Sequence, residues 1–248
     1  MSKILTYIRR QSFNPDLAGL FVNPFYFIRK ELHRNIKSLA PHLKGDLLDF
    51  GCGRKPYEQL FHVNKYIGID MEQTGHEHKL SKVDVYYDGQ HIPFKENTFD
   101  SVFCSEVFEH VFNLDEVLKE IHRVLIPDGK ILVTVPFCWH EHEVPYDFGR
   151  YTSYGIKHIM EKNGFKVLEY RKSGNFVRVN FQLWANYFFY LIKIRHKTIR
   201  YVLSMALTIP VNVVGALLIP LFPINTTLYF NNVVLAKKVI PRNDPVSV

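Results

Sequence analysis

The sequence predicts one doubly wound α/β domain on a mostly parallel sheet. Three observations lead there. From Gly45 onward, short apolar runs alternate with helical patterns, the signature of strand and helix in succession. Each apolar run ends in small or polar residues rather than in more apolar ones. The 248 residues, 47% of them apolar, suffice for a sizeable core.

Taken in order, residues 1–44 read as a helical lead-in. Asn14-Pro15 and Asn23-Pro24 give turn or helix-start signals, and a mixed apolar and basic helix follows from Pro24 to Leu39. The core is expected over 45–182, with strands near 46–50, 66–70, 83–87, 99–104, 130–135 and 165–170. Helices are expected near 56–62, 113–125 and 153–163. An apolar helical insertion occupies 183–226, and 227–248 supply a final strand, Thr227 to Ala236, and a tail.

Composition excludes several classes. Cys52, Cys104 and Cys138 are odd in number and far apart, so neither a disulfide framework nor a zinc site is expected, and a reducing cytoplasm fits. Lys3, Arg9 and Arg10 interrupt any run of signal-peptide length, so secretion is not expected. A net charge of +7 allows either nucleic acid or anionic lipid, and the placement of the charges has to decide.

The strand ends carry chemistry. Asp49-Phe50-Gly51-Cys52-Gly53 sets an acid at the end of the first strand and two glycines in the turn where backbone must approach a ligand closely. Pro56 stands where a dinucleotide fingerprint needs its third glycine, which disfavours a nicotinamide or flavin pyrophosphate. Asp70 ends the second strand and suits a ribose diol, and Asp88 ends the third and can accept from an exocyclic amine. Three acids at successive strand ends fit a ligand with an amine, a diol and no phosphate.

Asp49-x-Gly51-x-Gly53, Gly68-Ile69-Asp70, Asp88-x-x-x-Ile92-Pro93-Phe94 and Phe99-Asp100 follow one another in the order of class I S-adenosylmethionine-dependent methyltransferases. Ser105-Glu106-Val107-Phe108-Glu109-His110-Val111 and Glu120 to Leu132 resemble the methyltransferase type 11 branch, over roughly residues 45–170. The resemblance implies a Rossmann-like, seven-stranded sheet whose last strand is antiparallel, with S-adenosylmethionine as cofactor. By the same resemblance Asp49, Gly51 and Gly53 hold the methionine end, Asp70 the ribose, and Asp88 with the Gly89 amide the adenine. The backbone at Cys104 and Ser105 caps the methionine ammonium. The chain departs from the usual Pro-Gly-Gly turn, with Asp128 for the first glycine and Lys130 for the second.

Acceptor chemistry is expected in the loop after the fifth strand, Pro136 to Thr152, which gathers histidines, carboxylates and aromatics at the same sheet edge. Methyl transfer from a sulfonium needs alignment, with a base where the acceptor loses a proton. His142 is the first candidate base because its ordinary pKa lies near working pH, with Glu143 and His140 behind it. The loop loosely resembles bacterial type 11 relatives encoded with surface-glycan enzymes. No metal is expected, although Glu106, Glu109 and His110 at i, i+3, i+4 spacing would share a helix face, and some similar quinone-biosynthesis O-methyltransferases use magnesium there.

No charged residue stands between Tyr201 and Ala236, and Tyr201 to Phe222 is long enough to cross a bilayer. Pro210 and Pro220 interrupt that run and a strand follows it, so a buried cap, a homodimer face or a membrane-surface element is expected instead. The basic cluster Lys193, Arg195, Lys197 and Arg200 favours the membrane surface.

The expectation is thus a cytoplasmic methyltransferase, peripheral at the inner face of a membrane if the apolar segment meets lipid. Its acceptor is a small molecule, glycan or lipid-linked compound, methylated on oxygen. Nucleic acid is disfavoured, because the Asn/Asp-Pro-Pro-aromatic sequence of amine-directed enzymes is absent after the fourth strand. The alternatives are a non-catalytic nucleoside-binding partner protein and a nicotinamide-dependent oxidoreductase.

Overall fold

The computed structural model describes residue 7 and residues 10–72 and 81–239. The outermost residues of the expected lead-in and tail lie outside the described residues. The chain divides into two compact units, one from 37–171 with 232–248 and one from 1–36 with 172–231.

The first unit holds most of the sheet. Its strands are β1 (Asp46–Phe50), β2 (Lys65–Met71), β3 (Val85–Tyr87), β4 (Phe99–Ser105), β5 (Leu125–Pro136), β6 (Phe165–Ser173) and β7 (Asn231–Lys238), in the spatial order β3-β2-β1-β4-β5-β7-β6. The pairs β3/β2, β2/β1, β1/β4 and β4/β5 are parallel, and the last strands run antiparallel. Strand order reverses at β1, so the carboxyl ends of β1 and β4 border the crevice where such sheets take ligands.

Both faces are covered, which is why the central strands are apolar throughout. Leu48, Phe50, Val102, Cys104, Ile131 and Val133 are all at most 1% exposed. α3 (Leu114–Val124) buries Leu114, Val117, Leu118, Ile121 and Val124, one face at i, i+3, i+4, i+7 spacing, against that core. Asp115 and Glu116 in its first turn and His122 and Arg123 in its last complement the helix dipole. α4 (Ser153–Lys162) starts where the Thr152 hydroxyl accepts from the Gly155 amide at 3.1 Å.

The expected helix at 56–62 is only a single 3₁₀ turn, Glu58–Leu60. Lys55 takes φ +51°, and Tyr57 and Phe61 are drawn into aromatic contact with Phe103. At Asp128, where the resemblance puts a glycine, φ is +57°, so the turn keeps its left-handed shape with an aspartate, which pairs with Lys237 at 2.6 Å.

The second unit contains α1 (Gly19–Val22), most of α2 (Tyr26–Leu39), α5 (Phe176–Leu191) and α6 (Lys197–Leu218). Fully buried Gln182 closes the start of α2: its carbonyl accepts from the Phe27 and Ile28 amides, and its amide donates to Pro24 O at 2.8 Å. Asn212 likewise donates to Leu20 O and Asn23 O. α6 runs through Pro210 without ending. The lost backbone bond, costing about 3 kcal/mol in a helix interior, is offset by the packed side that holds Met205, Thr208 and Gly215.

Candidate active site

The turn after β1 is built by cross-strand bonds. The Gly51 and Cys52 amides both donate to Ile69 O, and the Gly53 amide donates to Asp70 Oδ2 at 3.0 Å. Gly51 has φ +72°, and a methyl group there would lie 2.4 Å from Val107 Cγ2, so conformation and packing both require glycine. Gly53 has φ +48°, yet a methyl group would meet nothing within 4 Å. That open side is where a ligand could approach the backbone.

Asp49 is 3% exposed and accepts from the Tyr66 hydroxyl at 2.6 Å. Burial raises its pKa to about 7, helped by the nearby Asp70 charge, while Tyr66 and Lys55 oppose the rise. Asp70 also accepts from the Met71 amide at 2.9 Å. Asp88 is exposed, and one carboxylate oxygen accepts from the Gln90 and His91 amides, which hold its pKa below the usual value. Its first role is therefore to shape its own loop. Gly89 (φ +83°) packs over Met71, where a methyl group would lie 2.9 Å from Cε.

Of the four residues expected from β1 and β2, the structure brings Asp49, Gly51, Gly53 and Asp70 together. Asp88 and Gly89 follow the adjacent strand end at β3, paired to β2 through Met71 and Tyr87. Cys104 is fully buried at the end of β4, and Ser105 Oγ shares a 2.8 Å bond with Thr134 Oγ1 across β4 and β5.

Two braces escaped sequence reading. Buried Lys55 pairs with Asp84, whose carboxylate also accepts from the Gly68 amide at 2.7 Å. Burial pushes Asp84 up, but that amide and Lys55 together hold it low. Glu120 accepts from the Ile92 amide, and Arg123 donates to Ile92 O and Phe94 O, pinning the Asp88 loop to α3. The signal for the first brace lay in an acid just before β3, and nothing local distinguished it.

The expected shared face of Glu106, Glu109 and His110 does not form. Glu106 takes φ +57° and accepts from the Thr134 hydroxyl at 2.7 Å, and only residues 108–110 make a 3₁₀ turn. Instead Glu109 and His110 meet His142, one ligand atom from each lying within 4.8 Å of the others, a set that could hold a divalent ion. Glu109 is fully buried and neither of its carboxylate oxygens accepts a hydrogen bond; burial, then the Glu106 charge, raises its pKa well above the ordinary value. His110 Nε2 lies 3.6 Å from Glu143 Oε1, and its Nδ1 bonds Tyr146 O at 2.6 Å.

The acceptor loop is tied down by Arg150 and Asp147. Arg150 forks onto both Asp147 oxygens at 2.6 and 2.7 Å and donates to His140 O at 3.0 Å. Asp147 also accepts from the His142 amide at 2.9 Å, and although burial opposes it, these partners hold its pKa at about 2. His142 Nδ1 lies 3.3 Å from Asp147 Oδ2. Burial, then the His110 charge, lowers the pKa of His142, and burial followed by His142 lowers that of His140, whose ring sits 4.8 Å from Trp139. His142 Nδ1 also lies 3.5 Å from Arg150 Nη2, so the tautomer of the ring decides which nitrogen is free to take a proton.

A wound, mostly parallel sheet with a glycine turn after β1 and an acid at the end of β2 is the Rossmann-like arrangement. Residues 48–133 match the Methyltransferase domain family, Methyltransf_11. Over residues 48–133 the chain is thus similar to class I methyltransferases of the type 11 branch, which supports S-adenosylmethionine as its cofactor.

A Mycolicibacterium smegmatis protein described as a probable S-adenosylmethionine-dependent methyltransferase is 26% identical over 167 residues, 64% of this chain and 62% of that protein. The human mitochondrial arginine-hydroxylase NDUFAF5 is 36% identical over 89 residues, 33% of this chain and 26% of that protein. The crystal structure of an S-adenosylmethionine-dependent methyltransferase from Archaeoglobus fulgidus shares the fold at TM-score 0.55 and 18% identity, over 90% of this chain and all of that one. Over the first curated relatives it matches, the chain spans only 26% to 40% of their length.

Proposed function

We propose that this chain methylates an oxygen of a small-molecule, glycan or lipid-linked acceptor, with His142 as the base. The observation that supports this most is His142 itself: its pKa is lowered by burial and its Nδ1 is set against Asp147, in a loop that leaves the carboxyl end of β5. S-adenosylmethionine supplies an electrophilic methyl group on a sulfonium. Asp49, Gly51, Gly53 and Asp70 hold its methionine and ribose portions, Asp88 and the Gly89 amide the adenine, and the backbone at Cys104 and Ser105 the ammonium. The acceptor hydroxyl gives its proton to His142 as its oxygen takes the methyl group, while the cofactor's carbon–sulfur bond breaks and the sulfur leaves as the neutral thioether of S-adenosylhomocysteine. His140 and Glu143 flank His142 in the same loop.

The test has two arms. S-adenosylhomocysteine raises the melting temperature and NAD does not, since a ligand that binds only the folded state stabilises it by mass action. Labelled methyl from S-adenosylmethionine enters an extract compound at a base-stable, ether-type position. Stabilisation by NAD alone sinks the cofactor assignment. Tight S-adenosylhomocysteine binding with no labelled product supports a non-catalytic binding protein instead.

A further inference from the structure

In the unit that holds α5 and α6, the usual order of polar and apolar residues is inverted. The buried stripe of α6 carries Ser204, Thr208, Asn212 and Gly215 beside Met205. Its outward side carries Val202, Leu207, Val214, Leu217 and, just beyond the helix, Leu221, between 39% and 75% exposed. α5 buries Gln182 and Asn186 beside Val179 and Ala185, while Trp184, Tyr187 and Tyr190 stand more than half exposed. A water-facing helix puts its apolar stripe inward. A helix in lipid packs on small and hydrogen-bonding residues and leaves the apolar ones outward.

Only 33% of the most apolar window of Lys197–Leu221 is buried, so this is not a core helix. The exposed side chains form a patch of the kind that marks an interaction surface. The charge pattern says what meets it. No Asp or Glu stands between Glu169 and Asp244, while Lys193, Arg195, Lys197 and Arg200 gather where α5 ends and α6 begins. These four line a cleft of about 730 Å³ with Tyr190 and Tyr201. Ser204 also lines it, and its buried hydroxyl has no hydrogen-bond partner.

We propose that α5 and α6 form a monotopic anchor for an anionic bilayer, with the outward apolar sides of both helices in the headgroup–acyl boundary and lipid phosphates in the basic cleft. The aromatic side chains of α5 belong at that depth, where one edge of the ring is wet and the other apolar. Four basic residues at the mouth of the cleft keep the start of α6 with the headgroups, so the hairpin lies in the interface. The proposal is independent of the methyl-transfer reading, and S-adenosylhomocysteine binding is followed in parallel so that the two fail separately.

The experiment is flotation of the full chain with vesicles of neutral phosphatidylcholine alone or with a third anionic phosphatidylserine. Binding is expected to the anionic vesicles, weakened by 0.5 M salt, and to fall by roughly 10³-fold when Lys193, Arg195, Lys197 and Arg200 are all changed to Gln, at about fivefold per basic residue. Leu217→Asn with Leu221→Asn, which leaves the charge intact, is expected to lower binding to the same vesicles. Each variant is checked by its melting temperature and S-adenosylhomocysteine binding, and Trp184 fluorescence of a Trp139→Phe chain, expected to shift blue on the anionic vesicles, stands in where a variant does not fold. Equal binding to neutral vesicles, no vesicle binding at all, capture of soluble inorganic phosphate without vesicle binding, or a stable dimer that hides Trp184 would each overturn the proposal.

Discussion

The Gly53 amide donates to Asp70 Oδ2 at 3.0 Å, so the turn that follows β1 is fastened to the carboxylate that ends β2. One side chain thereby shapes the backbone of the glycine turn and presents its other oxygen at the same sheet edge. Replacing it removes both effects.

Asp70→Ala is expected to weaken S-adenosylhomocysteine binding by roughly 1–3 kcal/mol, the cost of leaving buried partners of a charged group unpaired. Calorimetric titration reads this directly. Unchanged affinity would remove Asp70 from the cofactor site.

The two turn glycines separate folding from binding. Gly51→Ala forces a left-handed alanine and a 2.4 Å approach to Val107, and is expected to cost about 2–4 kcal/mol of stability. Gly53→Ala meets no neighbour and should cost only about 1 kcal/mol of stability. It should nevertheless lose most of the cofactor affinity, because its methyl group fills the side open to ligand. Melting curves with and without S-adenosylhomocysteine distinguish the two variants.

Asp49 sets a pH dependence. Its folded pKa is raised to about 7 from an ordinary 3.8, so the stability it contributes is fully present below about pH 4 and lost as pH rises through 7. A ligand ammonium favours the ionised form, so S-adenosylhomocysteine affinity should climb toward pH 7, by at most tenfold per unit, and level off above it. In Asp49→Asn that slope should vanish. A persistent slope in the variant would assign the titration to another group.

His142→Ala is expected to lower turnover by about 10²- to 10⁴-fold, the usual range for a general base, with cofactor affinity nearly intact. Because burial lowers the pKa of His142, the rate should not decline on acidification until below pH 6.5. Turnover equal to that of the unsubstituted chain would dispense with this base.

The sheet was legible because period and strand-end chemistry agree. Asp46 to Phe50 and Phe99 to Ser105 read as buried strands, bounded by Gly45 before the first and by Glu106 after the second. The helix expected at 56–62 failed because Lys55 turns left-handed and aromatic packing on Phe103 outweighs local helical spacing. Helical spacing also misplaced Glu106, whose positive φ sends its carboxylate to Thr134, and it could not bring in His142, which arrives from 32 residues beyond His110. Pairing between Lys55 and Asp84 was invisible for the same reason: long-range partners leave no local pattern.

Glu109 makes the last test. A fully buried carboxyl whose pKa lies well above 4.5 holds a proton in the folded chain that it would lose when unfolded, so its favourable contribution is complete below about pH 4.5 and declines as pH rises. Glu109→Gln keeps the shape and cannot ionise. At pH 8 the variant is expected to be the more stable, and at pH 5 nearly equal, as read by chemical denaturation at both values. Should the unsubstituted chain be the more stable at pH 8, a cation must compensate the carboxylate between His110 and His142. In that case a chelator would remove the advantage, because the positive charge facing Glu109 would leave with the ion.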